Sequence, residues 1–191
     1  MDALLTSTAV VALAEIGDKT QLLAIVLAAR FGKPLAIVAG ILVATLANHF
    51  LAALVGAQVA SILEGDWFRY LIAISFIAMA AWTLIPDRLD DEEHNHARFG
   101  AFVTTVIAFF LVEMGDKTQL ATVALGARFH DVIMVTMGTT LGMMLANVPA
   151  VFLGHELLKR VPLKVVRWIA AGLFLVIGVW FLAQTAGWVG V

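Results

Sequence analysis

The chain has 191 residues, of which 62% are hydrophobic and 14% are charged, with no cysteine and a formal net charge of −2. This hydrophobic fraction exceeds the roughly 45–50% of soluble domains, and a chain this short cannot bury it all in water. Disulfides, thiolate metal sites and cysteine nucleophiles are excluded, and no basic patch is dense enough to make nucleic acid a partner. The composition therefore predicts an all-α integral membrane protein whose apolar surface is covered by the lipid bilayer.

Six apolar stretches are long enough to form membrane-spanning helices, each of which needs about 20 residues. In chain order the predicted spans cover residues 3–29, 35–63, 67–85, 99–127, 132–158 and 165–188. Short polar breaks typical of loops separate them at residues 32–34, 64–66, 130–131 and 159–164. The longest polar stretch predicts a division into a first three-helix half, an acidic loop and a second three-helix half, at residues 1–86, 87–98 and 99–191.

The two halves repeat each other at a constant offset of 98 residues. The octet EIGDKTQL that begins at Glu15 recurs as EMGDKTQL from Glu113. Further pairs at this offset are Arg30 with Arg128, Gly40 with Gly138, Gly56 with Gly154, Arg69 with Arg167, and Trp82 with Trp180. Because the matches extend over three helices, we infer an internal duplication. Three spans per half is an odd number, so the halves are predicted to insert as inverted repeats.

The distribution of Lys and Arg predicts the orientation, because short cytoplasmic loops retain positive charge. With the N-terminus outside, only Arg69 and Arg128 lie on the outer side. The cytoplasmic side then holds Arg30, Lys33, Arg88, Arg98, Lys159, Arg160, Lys164 and Arg167. We therefore expect both termini outside and the central loop in the cytoplasm.

The first and fourth spans each carry acidic residues about halfway along, where a charged side chain costs on the order of 3 kcal/mol. On a continuous helix Glu15 shares a face with Asp18, as Glu113 does with Asp116, so each pair can converge on one ligand. The first helices of inverted repeats commonly meet near the midplane, which would bring all four carboxylates to one metal site. With the counter-charges of Lys19 and Lys117, simple addition gives a local charge of about −2, which a divalent cation would neutralise.

Competition between a metal and protons for the same oxygens is the physical minimum for exchange transport. Clustered, desolvated carboxylates take up protons when no cation balances them, and they titrate as a coupled set. The carboxylates together with the auxiliary residues Gln21, Gln119, Thr20 and Thr118 supply hard oxygen ligands, which suit Ca²⁺, Mn²⁺ or Mg²⁺. The two threonines face away from the acids unless the helices unwind, and Gly17 and Gly115 would permit such a break.

Simpler interpretations exist for several of these residues. Glu15 stands four residues before Lys19, and Glu113 four before Lys117, so each pair could be an intrahelical ion pair that only locks the helices together. Asn48 and Asn147, at an offset of 99, could complete the coordination shell or form interhelical hydrogen bonds, and His49 is assigned to the latter. His155 and Glu156 are assigned to the membrane interface. An acidic run in the central loop could gather cations near an entrance, but it is interpreted as a solvated linker. It contains Asp87, Asp90, Asp91, Glu92, Glu93, His94 and His96.

The two E-x-G-D-K-T motifs, one in each half and separated by an acidic loop, resemble those of a family of calcium and manganese cation/proton exchangers with Golgi members in eukaryotes and manganese exporters in bacteria. The resemblance covers essentially the whole chain. It implies that Glu15, Asp18, Glu113 and Asp116 bind the transported ion, with no cofactor. It also implies Mn²⁺ export across a bacterial inner membrane, with Ca²⁺ as the other candidate ion. Homo-oligomerisation stays open.

Two other functions fit parts of the pattern. An intramembrane aspartyl protease could use Asp18 and Asp116 as two acids that share a proton. A lysine directly after each aspartate opposes such sharing, and the duplicated glutamate has no obvious task in a protease. An exporter of small organic cations would need an apolar and aromatic pocket, and the octets offer few such residues.

Overall fold

The computed structural model describes residues 1–63, 65–85, 100–154 and 163–188, and all regular structure within these ranges is α-helical. The first half contains α1 (Asp2–Glu15), α2 (Lys19–Phe31), α3 (Pro34–Ile62) and α4 (Asp66–Thr83). The second half contains α5 (Ala101–Glu113), α6 (Lys117–Phe129), α7 (Val132–Leu153) and α8 (Leu163–Thr185). The predictions for the loop at 87–98, for His155 and Glu156, and for most of the break at 159–164 lie outside the described residues.

The predicted spans at 3–29 and 99–127 are wrong as continuous helices, because each divides into two at its E-x-G-D motif. The Asp18 N–H donates to the Glu15 carbonyl over 3.0 Å, and Asp116 to Glu113 over 3.2 Å. The intervening φ angles are −66° at Ile16 and +81° at Gly17, values typical of a type II turn. Glycine tolerates this positive φ at no steric cost, so the motif itself ends one helix and starts the next.

The breaks at 32–34 and 130–131 occur where the sequence predicts them. Gly32 ends α2 in the left-handed conformation with φ +60°, and Pro34 occupies the first turn of α3. His130 takes the same left-handed position after α6 with φ +53°. The Asp131 carboxylate then accepts a 3.0 Å hydrogen bond from the Met134 N–H at the start of α7.

The distribution of apolar and polar side chains between surface and interior differs from that of a soluble protein. Large apolar side chains are exposed, including Phe50, Ile74, Leu145 and Val176, whereas Glu15, Glu113 and other polar groups are completely buried. By length and composition alone, three helices of the described chain can cross a membrane, with apolar segments Pro34–Ile62, Val132–Leu153 and Lys164–Thr185. An apolar exterior of this extent requires lipid or a comparable cover, which supports a membrane location.

The two halves interleave, since the first two helices of each half pack on the third helix of the other. α1 and α2 contact α7, while α5 and α6 contact α3, and the pairs α3–α7 and α4–α8 link equivalent helices. Helices approach each other closely at equivalent glycines, which are 98 residues apart. A Cβ on Gly40 would lie 2.9 Å from the Phe102 carbonyl oxygen, and one on Gly138 would lie 2.5 Å from the carbonyl oxygen of Leu4, the equivalent of Phe102.

Gly138→Val is expected to destabilise the protein because the valine side chain would collide with the α1 backbone at Leu4. Overpacking of this kind costs about 1–3 kcal/mol, so the thermal unfolding midpoint of the detergent-solubilised protein should fall by several degrees. Gly172→Val is the matched control, because a Cβ there would meet no described atom within 4 Å other than the neighbouring backbone of its own helix. An equal response of both variants would contradict the packing that we describe.

Candidate metal site

The two turns that interrupt the helices meet in the interior, where they bring acids of both halves together. One carboxylate oxygen from each of Glu15, Glu113 and Asp116 lies within 4.8 Å of the other two, and all three residues are buried. Asp18 is also buried, at 3% exposure, but lies outside this trio. The structure therefore brings three of the four predicted ion ligands into metal-binding proximity, with Asp18 beside a lysine.

The helix breaks change which groups face the acids. The Thr20 and Thr118 hydroxyls donate hydrogen bonds to the two carboxylate oxygens of Glu15, one to each oxygen. On continuous helices these threonines would have pointed away, so the break that the glycines permit is what brings them to the site. Glu15 is consequently fixed by one hydroxyl from its own half and one from the other.

The two lysines pair with the aspartates of the opposite half. Lys117 Nζ lies 3.5 Å from Asp18 Oδ1, and Lys19 Nζ lies 3.5 Å from Asp116 Oδ1. The intrahelical arrangement expected for Glu15 with Lys19, and for Glu113 with Lys117, is wrong because a helix ends between the members of each pair. The ion pairs thus join the two halves across the site.

This pairing also bears on the protease alternative. A catalytic pair of aspartates requires that one proton be shared between two carboxyl groups. Asp18 and Asp116 are instead each paired with a lysine ammonium of the opposite half at 3.5 Å. The geometry therefore supports two charge-paired carboxylates and opposes proton sharing.

The glutamines hold the turns to the third helices. Gln21 Oε1 accepts from the Gly17 N–H at 2.9 Å, and its Nε2 donates to the Ala146 carbonyl at 3.0 Å. In the second half Gln119 accepts from the Gly115 N–H at 2.6 Å and donates to Asn48 Oδ1 at 2.5 Å. These predicted auxiliary residues therefore position the backbone at the site, and none of these hydrogen bonds involves a carboxylate.

The contacts of the glutamines correct the register that we expected for the asparagines. Gln21 and Gln119 are equivalent, and they contact positions 146 and 48, which also differ by 98. Asn48 therefore corresponds to Ala146, and the residue equivalent to Asn147 is His49. No one-residue slip is needed between the halves.

His49 is the residue whose position sequence reasoning missed. It is completely buried on α3, and its Nε2 lies 3.5 Å from Glu113 Oε2. Its assignment to interhelical hydrogen bonding is wrong for the described residues, among which neither ring nitrogen has a hydrogen-bond partner. The sequence does contain a sign of its role, because His49 lies 98 residues before Asn147 and so occupies the equivalent position in the first half.

A small cavity adjoins the site on the side of α4 and α8. Its volume of about 10 Å³ is near the lower limit for one water molecule. Asp18 and Lys117 line it, together with Thr83 of α4 and Arg167 of α8. The cavity therefore lies where the ion pair of Asp18 and Lys117 meets α4 and α8.

The chain is similar to known proteins over almost its whole length. The model of the family described as "Divalent cation/proton antiporter GDT1" matches residues 3–91 and 101–188. A protein of Vibrio cholerae named "Putative manganese exporter" is 53% identical over 176 residues, which cover 92% of this chain and 88% of the relative. GDT1-like protein 5 of Arabidopsis thaliana is 26% identical in an alignment of 211 positions that covers 91% of this chain and 92% of the relative. No solved structure matches the chain.

A double-mutant cycle on Asp18 and Lys117 tests the ion pair between the halves. Asp18→Asn or Lys117→Met alone should lower the free energy of unfolding by about 3–5 kcal/mol, because each leaves a buried charge without this partner. The double variant should lose less than the sum of the two single losses. Unfolding in detergent, followed by intrinsic fluorescence, measures the coupling.

The control cycle uses Asp66→Asn and Arg69→Met, which remove an ion pair of 3.9 Å between side chains that are 76% and 72% exposed. Exposed pairs contribute at most about 1 kcal/mol, so this cycle should show little coupling. Additive losses at Asp18 and Lys117 would contradict the buried pair.

Proposed function

Since the chain belongs to the GDT1 family of divalent cation/proton antiporters, we propose that it exports Mn²⁺ from the cytoplasm in exchange for protons. The observation that carries this proposal is the buried trio of Glu15, Glu113 and Asp116, whose carboxylate oxygens lie within 4.8 Å of one another. The name of the Vibrio cholerae relative specifies manganese. Hard oxygen ligands suit that ion, and Ca²⁺ is the second candidate cargo.

In this proposal Glu15, Asp18, Glu113 and Asp116 form the ion site. Four carboxylates with Lys19 and Lys117 carry a net charge of about −2 when all are ionised, which one divalent cation balances. The two lysines act as counter-charges to the aspartates of the opposite half. Thr20, Thr118, Gln21, Gln119, Asn48 and Asn147 are the auxiliary residues of the site.

Protons replace the metal on the same oxygens. A ligating carboxylate must be deprotonated, so a bound metal excludes protons and a departing metal leaves a cluster of negative charge that attracts them. Coupling then requires no separate proton pathway through the protein. The exchange is electroneutral if two protons return for each ion.

The membrane arrangement that we propose contains six spans in two inverted repeats, residues 1–86 and 99–191, linked by a cytoplasmic loop at 87–98. In each half, the two short helices on either side of the turn together make one span. α1 and α2 extend over residues 2–31, and at about 1.5 Å per residue this is enough to cross a hydrocarbon core of about 30 Å. Both termini lie outside the inner membrane of a bacterial cell.

Departures of the helix contacts from two-fold symmetry support alternating access. α4 packs against α6, and α8 packs against α1. The equivalent pairs, α8 with α2 and α4 with α5, make much weaker contacts over the described residues. We propose that the opposite-facing state exchanges these contacts, so that the α4–α8 pair moves relative to the ion site and opens it to the other side.

Substitution of the aspartates tests the transport mechanism. In proteoliposomes with an internal pH indicator, Mn²⁺ added to one side should drive proton movement in the opposite direction. Asp18→Asn and Asp116→Asn should each reduce this signal to the level of empty liposomes, because each removes a charge that the ion requires. Asp66→Asn, an exposed carboxylate at the start of α4, is the control and should transport normally. Unchanged transport by either site variant would remove that aspartate from the mechanism.

Mn²⁺ binding itself should release protons and should strengthen as the pH rises, because the metal requires deprotonated carboxylates. Calorimetric titrations in two buffers of different protonation enthalpy count the protons that are released per ion. A binding enthalpy that is independent of the buffer would contradict competition for the same oxygens.

A further inference from the structure

His49 and Glu113 form a buried pair whose polar atoms make no hydrogen bond with any described residue. Both side chains have an exposure of 0%, and Nε2 of His49 faces Oε2 of Glu113 at 3.5 Å. Within the described chain neither ring nitrogen and neither carboxylate oxygen of this pair has a hydrogen-bond partner. A buried polar atom without a partner costs about 1–3 kcal/mol, so two such side chains in contact call for a physical reason.

The spacing of the pair fits two ligands of one ion. Neighbouring ligands of an octahedral cation with bonds of about 2.1 Å lie about 3 Å apart. The His49–Glu113 distance of 3.5 Å is close to that value, and Glu113 belongs to the trio whose oxygens lie within 4.8 Å of one another. His49 is not itself part of that trio, but a cation held by Glu113 Oε2 would lie close to the imidazole.

We propose that His49 is a nitrogen ligand of the transported cation and that it gives the site its preference for Mn²⁺ over Ca²⁺ and Mg²⁺. The inference rests on the proposed function and specifies the donor set of the same site. Ca²⁺ and Mg²⁺ take oxygen ligands, whereas imidazole binds first-row transition metals well. The same nitrogen gives no preference for Mn²⁺ over Fe²⁺, because the affinity of such sites is higher for Fe²⁺ than for Mn²⁺.

The second half provides a natural comparison for this residue. Asn147 occupies the equivalent position on α7, is completely buried, and its Oδ1 has no hydrogen-bond partner among the described residues. The two halves thus offer a nitrogen donor at one position and an oxygen donor at its counterpart. His49→Asn makes the two positions alike, and the chain itself shows that Asn fits this place.

Pulsed electron paramagnetic resonance of bound Mn²⁺ detects a coordinated imidazole directly. The purified protein loaded with Mn²⁺ should show the hyperfine coupling of a ¹⁴N ligand, which changes to that of ¹⁵N when the histidines are ¹⁵N-labelled. His49→Asn should abolish the coupling, while His130→Asn, at an exposed position after α6, should retain it. Bound Mn²⁺ without a nitrogen coupling, or a coupling that survives in His49→Asn, would overturn the assignment.

If His49→Asn does not fold, a variant that keeps only His49 and replaces the other four histidines with Asn gives the same answer from a chain with the site intact. Its nitrogen coupling must persist if His49 is the ligand. Loss of the coupling in this variant, with Mn²⁺ still bound, would assign the nitrogen to another histidine.

Transport selectivity supplies the second measurement. In proteoliposomes, His49→Asn should lower the ratio of Mn²⁺ to Ca²⁺ flux by about tenfold or more, and His130→Asn should leave the ratio unchanged. An unaltered ratio in His49→Asn would refute the role in selectivity while the proposed antiport stands. Absence of Mn²⁺-driven proton movement in the unmodified protein would instead refute the proposed function, so the two failures are distinguishable.

Discussion

The constraint on which the rest of the structure depends is the burial of four carboxylates in the interior of an apolar protein. Such groups are tolerated only when cations, hydrogen-bond donors or a bound metal compensate them. The two turns meet this requirement for Glu15, Asp18 and Asp116 by bringing Thr20, Thr118, Lys19 and Lys117 to them, which an unbroken helix could not do. Glu113 is left without a hydrogen-bond partner among the described residues. Both ion pairs and one of the two hydroxyl contacts to Glu15 cross between the halves, so neither half can compensate its own acids alone.

The packing of the helices serves the same requirement. For the two turns to meet, the first helices of each half must approach the third helix of the other closely, and small residues permit this approach. Gly138 lets α7 contact the α1 backbone at Leu4, and Gly40 lets α3 contact α5 at Phe102. The glutamines then tie each turn to the helix it approaches, through Ala146 in one half and Asn48 in the other. Both the helix packing and the glutamine hydrogen bonds that position the site are therefore contacts between the two halves.

Much of this arrangement could be predicted from the sequence, and the parts that could not share a physical cause. The 98-residue offset and the two octets single out four acids, and the three that meet within 4.8 Å are all among them. The continuous first and fourth spans were wrong, because hydrophobic length does not reveal that Gly17 and Gly115 adopt a positive φ. The lysines pair across the halves because the helices break at these glycines. His49 reaches Glu113 through a contact between two helices. The spacing of residues along one helix predicts neither contact.

The duplicated motifs are identical at every acidic, basic and hydroxyl position, yet the two glutamates have different surroundings. Glu15 receives both threonine hydroxyls, including the one contributed by the other half, and is thereby fixed in orientation. Glu113 has no hydrogen-bond donor among the described residues and faces His49 instead of an asparagine. A carboxylate held by two hydroxyls has fewer lone pairs to offer a cation than one that is held by none. In the ion site that we propose, Glu113 therefore offers a cation the less occupied ligand atoms, with His49 beside them. Glu15, which accepts a hydroxyl from each half, links the two turns.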